Sequence, residues 1–225
     1  RQTYLGLAAF CTVALLMLAQ LMRQRPPALD VQPLNAQGKV PGSLPFGFSV
    51  GQAQLLLCVA GLSCCVAMSM PQVHIVAYCT DLGYGAARGA EMLSLMLACG
   101  IVSRLISGAI CDRIGGLRTL LLGSALQTVA LVMFLPFDGL VPLYVISALF
   151  GLFQGGIVPS YAIIVREYFA PATAGAKVGT VIMCTMLGMA LGGWMSGKVF
   201  DLPGSYHAAF IYGVVWNLLN FGIVF

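Results

Sequence analysis

Charged and polar residues interrupt this chain rarely and in bunches. Between the bunches lie seven apolar stretches, over residues 3–22, within 40–80, 92–111, 119–137, 139–165, 178–197 and from 206 onward. Each is long enough to span the hydrocarbon core of a bilayer, which takes roughly 20 residues of helix. The apolar residues follow one another continuously, without the two-residue alternation that a transmembrane barrel strand requires. The pattern therefore predicts an all-α polytopic membrane protein.

Composition sharpens this reading by exclusion. Of 225 residues, 60% are hydrophobic and 8% charged, against about 25% charged in a soluble domain. A water-soluble globule and a disordered chain are both excluded. The segment between the first two stretches holds five of the eleven prolines and has no apolar period. It reads as a flexible linker dividing the chain into residues 1–22, a linker over 23–50 and a bundle over 51–225. The sequence starts at Arg1 without a methionine and stops at Phe225 inside an apolar run, so a longer parent chain is expected.

The net charge of +4 matters through where its 11 basic residues fall. With the linker on the cytoplasmic side, Arg23, Arg25, Lys39, Arg113, Arg118, Arg166 and Lys177 are inside, while Arg1, Arg88 and Lys198 are outside. That asymmetry satisfies the positive-inside rule and predicts a multi-pass protein of a cell or inner membrane. Nucleic acid is not an expected partner. The eight cysteines show no CxxC or Cys/His ligand spacing and read as small packing residues, so neither a metal nor a cofactor is expected.

One loop carries a specific signal: GAICDRIGGLR, Gly108 to Arg118, between the third and fourth stretches. Gly108 lets helices approach, Gly115 permits a tight turn, Asp112 can face the positive end of a neighbouring helix, and Arg113 and Arg118 anchor the inner interface. The loop resembles the G-x-x-x-D-R-x-G signature of the major facilitator superfamily. That resemblance implies that the first stretch is the sixth helix and the other six are helices seven to twelve of a twelve-helix transporter. The fold is then a six-helix C-terminal bundle plus one preceding helix, the Gly108–Arg118 loop is a conformational switch, and the N-terminal half of the same chain is the bundle's partner.

A finer resemblance rests on PQVHIVAYCTDLG, GIVSRLISG and GKVFDLPGSY, from Pro71, Gly100 and Gly197. They look like the monocarboxylate transporter branch and its bacterial relatives. That branch pairs an arginine of helix eight with an aspartate one turn earlier; Arg104 matches the arginine, but Gly100 stands in the acid's place. The oxalate/formate exchangers carry a mid-helix lysine that is absent from residues 178–197.

A charge deep in a span is costly and usually faces a cavity or a partner. Arg104 has Gly100 and Gly108 four residues to either side, leaving room for a planar guanidinium to grip a carboxylate bidentately; snorkelling to the surface is the alternative. His74, Tyr78 and Asp81 share a helix face after Pro71, as a proton relay or gate, or with His74 satisfied by a carbonyl that Pro71 frees. Ser147, Gln154 and Tyr161 recur every seven residues, a stripe for a cavity wall or for interhelical bonding, and Asn217 and Asn220 allow the same two readings. The substrate-binding set is thus Arg104, Tyr161, Gln154, His74, Tyr78 and Asn217.

Gly47 to Gly51 match G-x-S-x-G, but that nucleophile needs a strand before it and a soluble α/β sheet around it. With no phosphate loop or HExxH either, no enzyme is expected. The expected function is secondary active transport of small organic anions, foremost monocarboxylates, by alternating access, with a coupled proton as a possible second solute and the lipid bilayer as solvent. The alternatives are an exporter of amphipathic compounds on the same fold and a non-transporting membrane sensor.

Overall fold

The computed structural model describes residues 2–21, 49–202 and 204–225, and every element in it is a helix. The linker residues 22–48, including the G-x-S-x-G residues Gly47 and Phe48, lie outside the described residues. The chain divides into two units. One contains α1, Gln2–Leu21, whose large apolar side chains from Leu5 to Leu21 are exposed.

The other unit is a bundle of α2 (Val50–Asp81), α3 (Ala86–Ile114), α4 (Gly116–Met133), α5 (Leu140–Gln154), α6 (Ile157–Tyr168), α7 (Pro171–Asp201) and α8 (Tyr206–Val224). Taken with α5 and α6 as one broken span, these are six helices long and apolar enough to cross a membrane. The chain is an integral, multi-pass membrane protein. Helices α3 and α7 run well beyond the apolar stretches the sequence marks, because a helix does not end where the hydrocarbon ends; its charged last turns continue into the polar interface. Ser49 and Gln52 form a reciprocal capping box at the start of α2. Ser49 is therefore occupied as a helix cap, which is how the G-x-S-x-G match is explained.

Packing follows a pseudo-symmetric scheme. Helix α2 packs on α7 and α8, as the α5/α6 span packs on α3 and α4, and α4 meets α8 between them. Exchanging α2, α3 and α4 for α5/α6, α7 and α8 preserves the scheme, and the exchanged helices run in opposite directions, which makes an inverted repeat. Lipid supplies no hydrophobic drive between helices, so close backbone approach does the work. A Cβ on Gly188 or Gly192 would run into the Leu62 or Val66 carbonyl of α2, and one on Gly151 or Gly155 into the Met96 or Gly100 carbonyl of α3. Apolar rings close the core at one end: Phe134 stacks on Phe210 at 4.8 Å and meets Phe150 edge-on at 6.3 Å.

The predicted fifth span is broken at Gly155 and Gly156. Pro159 has no N–H and disfavours an unbroken helix through the preceding turn. The Leu152 carbonyl instead accepts from Ser103 Oγ of α3 at 2.5 Å, and the Gly156 carbonyl from Ser160 Oγ at 2.8 Å. Pro71, by contrast, sits buried inside a continuous α2, where the freed Ala67 carbonyl faces Gly213 of α8, 3.6 Å from where a Cβ there would stand.

Candidate functional site

Helix α3 buries one narrow face, through Gly89, Met92, Met96, Gly100 and Ser103, against the bundle. Its other face is open. Ile101 and Leu105 are 64% and 75% exposed, and Arg104 is exposed between them. Among the described residues the Arg104 guanidinium has no hydrogen-bond or ion-pair partner; the one ion pair there is Arg88 with Glu91, 2.9 Å apart near the start of α3. Gly100 does not leave room around Arg104, because it is the seat on which Gly155 packs. Gly108 does face open space.

The other predicted binding residues sit elsewhere. Tyr161 and Asn217 are wholly buried even without a second half of the molecule beside them, and Gln154 is 5% exposed. The Tyr161 hydroxyl donates to Asn220 Oδ1 at 2.9 Å, and Asn220 Nδ2 to Ser124 Oγ at 2.6 Å. Asn217 Nδ2 donates to the Ser124 carbonyl and to Thr128 Oγ1, both at 2.8 Å. These groups tie α4, α6 and α8 together inside the bundle, while Gln154, at the end of α5, has a buried Oε1 with no hydrogen-bond partner among the described residues. Spacing places residues on one stripe, and only tertiary packing decides whether that stripe points in or out.

The His74, Tyr78 and Asp81 face is likewise absorbed by contacts. Tyr78, 4% exposed, donates to Asp138 Oδ1 at 2.6 Å, and its ring packs on Tyr206 and Phe210. Asp81 accepts from the Tyr206 hydroxyl at 2.7 Å. His74 is half-buried, with Nε2 2.8 Å from Ser196 Oγ and 3.3 Å from the Gly193 carbonyl of α7. The carbonyl partner anticipated from Pro71 is thus replaced by one on another helix. Tyr84 donates to the Asp138 carbonyl at 3.0 Å, and Tyr144 donates to Glu91. Together these contacts knit one end of the bundle.

At the opposite end lies the segment Gly108–Arg118, expected as a loop but helical except at Gly115, because α3 and α4 both continue beyond the apolar stretches. A single residue, Gly115, separates α3 from α4, with φ +85°, a conformation that favours glycine. Its N–H donates to the Cys111 carbonyl at 2.8 Å. Asp112, Arg113 and Arg118 are exposed, and Asp112 has no hydrogen bond among the described residues. A residue the sequence did not single out fixes the turn: both carboxylate oxygens of Glu167, from α6, accept from the Gly116 N–H at 3.2 Å. A carboxylate at a helix N-terminus also meets its positive dipole end. No local signal marks Glu167, whose partner is 51 residues away. Arg166 lies at this same end, the basic one.

Comparison with known proteins bears on the family and the fold. The chain is 29% identical to monocarboxylate transporter 13 of Rattus norvegicus over 157 residues, covering 69% of this chain and 37% of that protein. The Bos taurus protein of the same name is 27% identical over the same shares. The matched part of the chain therefore spans well under half the length of these relatives. Crystal structures of the peptide transporter POT (E310Q mutant), with sulfate and with alafosfalin, superpose with TM-scores of 0.71 and 0.72 at 21% identity, covering 88% of this chain and 41% of theirs. These share the fold. The model of the Major Facilitator Superfamily matches residues 1–142 and 92–225, and the chain belongs to that superfamily, as a C-terminal half.

Proposed function

We propose that this chain is the C-terminal part of a secondary transporter that moves small organic anions, monocarboxylates foremost, by alternating access. In this reading residues 1–22 are the last helix of an N-terminal bundle, residues 23–50 the central cytoplasmic linker and residues 51–225 the C-terminal bundle. The observation that carries the reading is Arg104, a fixed cation well inside a membrane helix, on the face that the bundle leaves open, without a counter-charge among the described residues. A guanidinium in a low-dielectric cavity is matched by a carboxylate, which takes two parallel N–H donors. The name carried by the relatives, monocarboxylate transporter 13, supports the same substrate class.

In this mechanism the substrate carboxylate pairs with Arg104 between the two halves, and the α3–α4 turn controls when those halves part at the basic end. The acidic residues of the bundle lie at its ends, Asp81, Glu91, Asp138 and Asp201 at one and Asp112 and Glu167 at the other. A proton carried with the anion is therefore held by the substrate, by His74 or by the N-terminal half.

The test is uptake of labelled lactate into liposomes by the full-length protein. Arg104→Lys, which keeps the charge and loses the fork, weakens uptake, and Arg104→Ala cuts it roughly 10- to 100-fold, the worth of a charge-assisted bond, with membrane insertion unchanged. Wild-type uptake by the Ala variant refutes the anion site.

A further inference from the structure

Beyond the transport path, the walls of the α3–α4 hairpin form a groove of about 250 Å³ floored by the α5/α6 break. Ser103, Ile106, Ser107 and Ile110 form one wall and Thr119, Leu122, Gly123 and Leu126 the other. It runs along eight residues of each helix, seven steps of 1.5 Å or roughly 10 Å. Ile106 and Leu122 at its rim are 52% and 44% exposed, so it opens to the outside of the bundle.

The mouth of the groove is basic. Arg113 stands three residues after Ile110 and seven after Ile106, on the same ridge of α3. Arg118 stands four residues before Leu122 and eight before Leu126, on the facing ridge of α4. Both arginines are exposed. Of the nearby acids, Glu167 is engaged on the Gly116 N–H, and Asp112 sits next to Arg113 on α3. At hydrocarbon depth an open apolar groove has no water to hold, and two guanidiniums above it match a phosphate.

We propose that this groove is a binding site for an anionic glycerophospholipid, its phosphate between Arg113 and Arg118 and one acyl chain along Ile106, Ile110, Leu122 and Leu126. The leaflet assignment rests on the topology proposed above, with the basic end inside, where anionic lipids concentrate; the site itself does not. Bound there, the lipid holds the switch turn at the membrane surface.

Native mass spectrometry of the purified full-length protein in mild detergent tests this, with phosphatidylglycerol, phosphatidylcholine of the same tails and soluble glycerol 3-phosphate as probes. Phosphatidylglycerol is retained and the other two are not. The double variant Arg113→Gln, Arg118→Gln lowers that retention roughly 10- to 30-fold, at about 1 kcal/mol for each basic group, and Arg113→Lys with Arg118→Lys restores most of it, which separates lost charge from lost folding. Equal retention of phosphatidylcholine, binding of glycerol 3-phosphate alone, or full retention by the Gln variant overturns the site. Lipid retention does not depend on transport, so failure here leaves the Arg104 reading standing, and the converse holds.

Discussion

Arg104 and Tyr161 are both isolated polar groups in apolar helices, and their surroundings give them opposite work. The Arg104 side chain emerges on the open face of α3. Tyr161 has no exposed surface and its hydroxyl bonds Asn220 at 2.9 Å. Tyr161→Phe leaves Asn220 Oδ1 without its donor in a dry interior, at a cost of about 1–3 kcal/mol. For a bundle of this size that lowers the thermal unfolding midpoint in detergent by roughly 2–10 °C, with substrate affinity little changed. An unchanged midpoint combined with lost affinity would return Tyr161 to the transport path.

The helices are held together by what their interfaces lack. Gly188 and Gly192 bring α7 onto α2, and Gly151 and Gly155 bring the α5/α6 span onto α3, at separations where no Cβ fits. A Cβ on Gly192 would stand 2.5 Å from the Val66 carbonyl, which is backbone and cannot rotate away. Gly192→Val therefore destabilises the bundle by at least the roughly 1–3 kcal/mol of an overpacked core, seen as a lower unfolding midpoint. Gly222→Ala, where nothing lies within 4 Å, does not lower it. The small-xxx-small spacing is plain in the sequence, but its partner helices, α2 for one set and α3 for the other, are not.

For the whole molecule the element on which the proposed mechanism turns is the α3–α4 connection, anchored on one side by Glu167 and exposing Asp112 on the other. Asp112 makes no hydrogen bond or ion pair among the described residues, so in the proposed cycle its charge acts on whatever meets that end. Asp112→Asn is expected to lower the maximal rate of transport several-fold while the half-saturating substrate concentration holds, measured by uptake kinetics in liposomes. A collapse of affinity with the rate intact would move Asp112 into the binding site.

Much of this protein is legible in one dimension. Continuous apolar stretches dictate membrane helices because a bilayer leaves the backbone no other way to satisfy its hydrogen bonds. Within the run from Gly108 to Arg118, Gly115 marks the short turn because its φ of +85° favours glycine, whereas Gly108 faces open space and the helix end expected for Asp112 is taken by Glu167. Tertiary structure alone decided the rest. Gln154, Tyr161 and Asn217 fall on polar stripes, but a stripe has no sign until neighbouring helices choose its side, and here they turned it inward. His74 found Ser196, 122 residues away, and Gly116 found Glu167, 51 residues away. Arg104 stayed outside because α3 buries the ridge of Gly100 and Ser103 one step around the helix, a choice made by the shape of α5 and written nowhere near Arg104 in the chain.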